Sequence, residues 1–292
     1  MLSADEVRQL EALAFGTAAA APAANPAGAR VARIRGFSTE FHDFRQYQPG
    51  DDPRAIEWTI YGRLGQLVTR TYRTTAHLQV HLLVDASASM SIGVPDKLSC
   101  ATKIAALLAY VALRARDAVG LATFRDGIGE RLAPSAGRSQ LFRIFAALGG
   151  TTAFGQSGIG TSLMNYGALE GGPGLAVVIS DFFDPGGVLD GLHFLQHRGL
   201  TPVIAEIVAD EELDPAVQSD VELVDIEAPS AERLFADQAT VAAYKAALAA
   251  HRATLRDYCE SQALPSLHLR SSATFPEMLE ACSRAGLFLL QR

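Results

Sequence analysis

The sequence predicts an α/β fold with a doubly wound, mostly parallel sheet flanked by helices, and two observations carry that prediction. From Leu78 onward, short apolar runs of strand length alternate with longer helical patterns, the arrangement of a parallel sheet covered on both faces. Two of those runs, Leu78-Gln79-Val80-His81-Leu82-Leu83-Val84 and Ala176-Val177-Val178-Ile179, pass directly into Asp85 and Ser180-Asp181. Residues at the carboxyl ends of such strands line the ligand crevice of an open α/β sheet.

The elements follow in order. Residues 3–14 read as a short helix, with Ser3 as N-cap and Glu6 at capping-box spacing. The Ala/Pro/Gly stretch from Gly16 to Gly28 reads as a flexible linker. Residues 30–77 change character, with eight arginines and no lysine, interleaved with Phe37, Phe41, Phe44, Tyr47, Trp58, Tyr61 and Tyr72. Pro49 to Pro53 is a turn signal and Gln66 to Tyr72 alternates as a strand. Strands are expected at 78–84, 118–124, 175–180, 201–208 and 266–270, with a short one near 128–132. Helices are expected at 97–116, 138–148, 153–168, 187–198, 237–262 and 275–285. Val221 to Ile226 and Arg233 to Phe235 form a small hairpin added to the sheet. The division that results is a helix and linker at 1–29, an Arg/aromatic arm at 30–77 packed on the sheet, and the α/β domain at 78–292.

Composition narrows the function. At 292 residues with 49% apolar content the chain can bury a large core. A net charge of −7 lacks the basic footprint of a nucleic-acid protein. The arm's arginines are accompanied by Glu40, Asp43, Asp51, Asp52 and Glu57, so they are expected to pair with carboxylates, and Trp58 is expected to be a packing anchor. Cys100, Cys259 and Cys282 lie far apart, which suits reduced thiols. No segment approaches the ~20 apolar residues of a membrane span, and Asp5 and Glu6 stand where a signal peptide carries positive charge. The expected location is the cytoplasm.

The candidate site is a set of hard oxygens. Asp85, Ser87 and Ser89 place one carboxylate and two hydroxyls at alternate positions after the first apolar strand. Gly149-Gly150-Thr151-Thr152 offers a further hydroxyl in a loop, and Asp181 a second carboxylate after a later strand. Few carboxylates, neutral oxygens and an open position suit Mg²⁺. Taken alone, an Asp/Ser-rich turn equally serves to bond nearby backbone N–H groups.

These residues resemble, in order and approximate spacing, the metal-ion-dependent adhesion site of von Willebrand factor type A domains. The resemblance implies that Asp85, Ser87, Ser89, Thr152 and Asp181 hold Mg²⁺ (or Mn²⁺), the serines and threonine directly or through water and the aspartates mostly through water. It also implies that a partner's carboxylate takes the open position. Thr152 fits the family loop better than Thr151, and Thr161 sits too near Asp181; Ala153 stands where relatives often place an acidic residue. Upstream, Arg35-Gly36-Phe37 through Arg45-Gln46-Tyr47-Gln48-Pro49-Gly50-Asp51-Asp52-Pro53-Arg54-Ala55-Ile56-Glu57-Trp58, then Gly62-Arg63-Leu64-Gly65 and Asp85 to Met90, resemble the signature of the bacterial domain-of-unknown-function family fifty-eight. That family is von Willebrand A-like, and its members are often encoded beside MoxR-type AAA+ ATPases. An adaptor or assembly role beside such an ATPase is implied, with binding of a carboxylate-bearing protein and no catalysis.

Enzyme motifs are absent from the sequence. It contains no phosphate-binding G-x-x-x-x-G-K-[ST] loop, no dinucleotide G-x-G-x-x-G after the first strand and no G-x-S-x-G elbow. His193 and His197 have the spacing of a zinc pair without the intervening glutamate of H-E-x-x-H. A metal-dependent hydrolase using Mg²⁺-activated water is the rival reading; it lacks a visible general base.

Overall fold

The computed structural model describes residues 40–48, 53, 56–73, 78–184, 186–215, 221–223, 226–227, 234–236 and 238–290, with Glu6, Leu10 and Leu13–Phe15 near the start. The linker expected at Gly16 to Gly28 and the arginines at 30, 33 and 35 lie outside the described residues. The chain forms two compact units, Met1–Ala24 with Leu78–Arg292, and Asn25–His77.

In chain order the elements are β1 (Leu13–Phe15), β2 (Glu40–Gln46), α1 (Trp58–Leu64), β3 (Val68–Arg73), β4 (Gln79–Asp85), α2 (Lys97–Arg114), β5 (Ala118–Arg125), β6 (Gly127–Ser135), α3 (Arg138–Gly150), α4 (Ile159–Leu169) and β7 (Gly174–Ser180). There follow α5 (Val188–His197), β8 (Leu200–Val208), the single turn α6 (Asp210–Leu213), β9 (Val221–Leu223), β10 (Leu234–Ala236), α7 (Gln238–Ser261), β11 (Ser266–Arg270), α8 (Phe275–Arg284) and β12 (Phe288–Leu290).

The main sheet has six strands in the order β11-β8-β7-β4-β5-β6. All neighbours are parallel except β5 and β6, which are antiparallel. Parallel strands covered on both faces should be apolar on both, and β4 and β7 are: every residue from Val80 to Asp85 and from Gly174 to Ser180 is buried. Alternation then sorts the side chains between two cores. Val80, Leu82 and Val84 join the core under α2, α3 and α8, whereas Leu83 joins Tyr166, Leu192 and Leu255 from α4, α5 and α7.

Helix α7 is tied to the sheet by charge as well as by Leu248, Leu255 and Cys259. Glu206 of β8 is 1% exposed, and its carboxylate accepts two hydrogen bonds from Arg252 at 2.9 Å each and contacts His268 Nδ1 of β11 at 2.7 Å. Burial pushes the Glu206 carboxyl up, but the bonds from His268 and Arg252 outweigh it and hold the group below its ordinary value of 4.5.

Several expectations are corrected. The first segment does not stay helical to residue 14; Leu13–Phe15 pairs antiparallel with Phe288–Leu290, a long-range partner that local propensity does not reveal. The segment 153–168 is helical only from Ile159. Gly155 has φ +79°, and the amide of Ile159 is capped by the Asp184 carboxylate at 2.8 Å. β9 and β10 pair with each other in a separate two-stranded sheet and do not extend the main one. In the second unit, β2 and β3 pair antiparallel around α1, whose first turn is capped by the Glu57 side chain. Trp58 is not an anchor there. It is 60% exposed, with Tyr61 edge-on at 6.1 Å. Among the described residues no helix is long and apolar enough to cross a membrane.

Arg252→Ala leaves a buried carboxylate with the His268 contact but without its guanidinium, so it is expected to cost roughly 2–3 kcal/mol, or about 5–10 °C in melting temperature. Because the folded Glu206 carboxyl is held low, its contribution is present above the ordinary value and is lost as pH falls through the lower folded one. Melting curves of wild type and Arg252→Ala should therefore differ most near neutrality and converge in acid. A gap that grows in acid contradicts this reading.

Candidate metal centre

The crevice follows from strand order. The chain leaves β4 toward β5 on one side and leaves β7 toward β8 on the other, so the carboxyl ends of these two neighbours open at a switch point. Register pairs Val84 with Ile179, which sets Asp85 beside Ser180. The Ser180 hydroxyl donates to Asp85 Oδ2 at 2.6 Å, and the backbone N–H of Ser87 donates to Asp85 Oδ1 at 2.8 Å. Asp85, Ser87 and Ser180 are fully buried. The chain then turns through a short 3-10 helix at Ala88–Ser91, and the hydroxyls of Ser87 and Ser89 lie 3.1 Å apart.

A second loop is clamped to the first. Ala88 N–H donates to Gly155 O at 2.8 Å and Phe154 N–H to Ala86 O at 3.0 Å. Arg125, at the end of β5, donates from Nε to Ala86 O and from Nη2 to Thr152 O, each at 2.9 Å, and its guanidinium stacks 3.8 Å from the Phe154 ring centre. Thr152 is therefore held beside the serine loop with its side chain exposed. The Thr151 hydroxyl is spent on Ala147 O at 2.9 Å in the last turn of α3, and Thr161 sits exposed in the first turn of α4.

Asp181 follows Ser180 at the carboxyl end of β7 and is 1% exposed. Its Oδ1 accepts from Phe183 N–H at 3.2 Å, and its Oδ2 accepts from Lys97 Nζ at 2.6 Å. The intervening Phe182 is buried with φ +59°, a left-handed conformation costly for a bulky side chain. Ser180 Oγ and His251 hold it there, through Phe182 N–H at 3.0 Å and Phe182 O at 2.9 Å.

Lys97 was not anticipated from the sequence. It is fully buried at the first position of α2, where the helix dipole disfavours a cation. Two carboxylates offset that cost: Asp181 and Glu212 each lie 2.6 Å from its ammonium. The legible signal was a lysine opening a largely apolar helix after a D-x-S-x-S turn. Arg125 and Glu227 were missed as well; the Glu227 carboxylate accepts backbone N–H groups of Ser89 and Ser157, contacts that no local pattern encodes.

The donor set fits a small hard cation. Asp85 is a buried carboxylate that no described side chain pairs as a cation. Burial first, and the neighbouring Asp181 second, push its carboxyl up to about 7. A divalent ion at Asp85, Ser87 and Ser89 would supply the missing positive charge through oxygen ligands of the kind Mg²⁺ takes. Asp181 is already shared with Lys97, and the affinity should be modest for that reason. Among the described residues no cluster of three or more His, Cys, Asp or Glu side chains forms an alternative metal site.

Comparison with known proteins adds kinship. A family model described as "Protein of unknown function DUF58" matches residues 43–254. "Uncharacterized protein Rv1480" of Mycobacterium tuberculosis and "Uncharacterized protein Mb1516" of Mycobacterium bovis are each 27% identical over 254 residues, spanning 84% of this chain and 78% of theirs. Among solved structures, the conserved hypothetical protein BatB from Bacteroides thetaiotaomicron aligns over 71% of this chain and 98% of its own at 14% identity, with a TM-score of 0.44. A von Willebrand factor type A protein from Catenulispora acidiphila aligns over 48% and 34% at 15% identity, with a TM-score of 0.37. The fold assignment itself rests on the strand order and register described above.

Replacing Lys97 by Met strands the Asp181 and Glu212 carboxylates without their ammonium. A loss of ~3–5 kcal/mol is expected, as for other broken buried pairs, read as a lowered melting temperature in EDTA. An unchanged melt would mean that solvent, and not Lys97, neutralises Asp181.

Proposed function

The chain belongs to the DUF58 family, and we propose that its crevice is a divalent-cation site through which it docks, without catalysis, onto a carboxylate of a protein partner. The observation that carries this reading is the convergence of Asp85, Ser87 and Ser89 at the switch point, clamped to the Thr152 loop and flanked by Asp181. Asp85, Ser87, Ser89, Thr152 and Asp181 would hold Mg²⁺ or Mn²⁺. With two carboxylates in the set, one of them shared with Lys97, the ion would keep enough positive charge to accept an incoming carboxylate oxygen. The sequence resemblance to von Willebrand A adhesion sites supports the same chemistry, and the association of family members with MoxR-type AAA+ ATPases makes such an ATPase the proposed partner. The role is that of an adaptor.

Isothermal titration of the purified chain with Mg²⁺ or Mn²⁺ is expected to show one site, weakened at least tenfold in Asp85→Ala and Ser87→Ala. Pull-down of a MoxR-type ATPase from the same organism should fall to background in EDTA and in Ser87→Ala or Thr152→Ala, with melting curves confirming folded variants. Binding indifferent to EDTA and to these substitutions contradicts the adaptor role. Steady Mg²⁺-dependent turnover of a phosphate or acyl ester, abolished in Asp85→Ala, would replace it with a hydrolase.

A further inference from the structure

The site carries a carboxylate of its own. Glu227, between β9 and β10 in the chain, is bound by two backbone N–H groups from different loops: Oε1 accepts from Ser89 at 3.4 Å and Oε2 from Ser157 at 3.0 Å. Ser89 follows β4, while Ser157 belongs to the segment that Ala88 and Phe154 clamp to it. Backbone donors in two tethered loops cannot rotate away, so they form a standing seat for a planar carboxylate. The seat lies against the proposed cation site, because Ser89 presents its N–H to Glu227 and its hydroxyl to Ser87. A further polar atom is left over there: the Ser157 hydroxyl is buried without a hydrogen-bond partner among the described residues, a donor that a differently shaped ligand can use.

We propose that Ser89 and Ser157 form the carboxylate-binding seat of this site and that Glu227 is its built-in occupant, capping the crevice until a partner's Glu or Asp displaces it. The proposal rests on the docking function above and adds its regulation. Being part of the chain, Glu227 competes at an effective concentration of the order of mM, enough to reject stray carboxylates and to yield to a partner with additional contacts. The two bonds are unequal. At 3.0 Å the Ser157 bond is ordinary, whereas 3.4 Å at Ser89 is longer than the usual N–H···O range, so of these two bonds the one facing the metal residues is the weaker.

The test follows the Ser89 and Ser157 amides by NMR in wild type, Glu227→Ala and Glu227→Gln. In EDTA, hydrogen exchange at both amides is expected to accelerate in Glu227→Ala while the β4 and β7 amides keep their protection; unchanged exchange overturns the proposal. With Mg²⁺ present, N-acetylglutamate α-amide, a free copy of the side chain, should bind Glu227→Ala at least tenfold more tightly than wild type, the gain expected on removing a competitor that fills the seat at least nine-tenths of the time. Glu227→Gln, which keeps the shape but not the charge, should fall between. Equal probe affinity in all three proteins overturns the cap. A Mg²⁺ titration silent in every protein removes the metal reading and leaves the exchange rates to decide the cap by themselves.

Discussion

The parallel pairing of β4 with β7 is the constraint on which the rest of the site depends. It sets Val84 opposite Ile179, and from that register the Ser180 hydroxyl reaches Asp85, the Ser87 amide caps the other carboxylate oxygen, and Asp181 follows one residue later at the carboxyl end of β7. A one-residue slip would turn every side chain of β7 to the opposite face. It would send Val177 and Ile179 into the wrong core and take Ser180 away from Asp85. Packing on both faces therefore fixes the chemistry at the strand ends.

Charge balance is the second constraint. Asp85, Asp181, Glu212 and Glu227 bring four carboxylates toward one crevice; Lys97 answers Asp181 and Glu212, and the Ser89 and Ser157 amides meet Glu227. The uncompensated one is Asp85, the most deeply buried, and its carboxyl is raised accordingly. Lys97 neutralises Asp181 and Glu212, while Asp85 has no cationic side chain paired with it among the described residues. Arg125 plays a complementary part. Its charge is directed to the carbonyls of Ala86 and Thr152 and to the Phe154 ring, so it binds the loops together and leaves Asp85 alone.

Much of this was legible in the sequence because the signals are local. Continuous apolar runs ending in Asp or Ser-Asp mark buried parallel strands, and each main-sheet strand falls within a residue or two of its expected place except β6, which runs longer at both ends. The parts that were not legible depend on long-range partners. Lys97 meets Asp181 across 84 positions, Arg125 meets Ala86 across 39, and Glu227 meets Ser89 across 138; no periodicity encodes such encounters. β1 exists only because β12 is there to pair with it. Trp58 shows the converse limit: an aromatic in an Arg-rich segment has the composition of a core residue, yet burial is decided by neighbours, and here they leave it exposed.

In the proposed divalent-cation site the hydroxyls of Ser87 and Ser89 bind the ion, with Asp85 behind them. A crystal of the chain grown with Mn²⁺ and measured at the manganese absorption edge is the decisive experiment. One strong anomalous peak is expected within coordinating distance of the Ser87 and Ser89 hydroxyls, absent in crystals of Ser87→Ala. No peak in the crevice at saturating Mn²⁺, or a peak elsewhere on the molecule with the crevice empty, would contradict it.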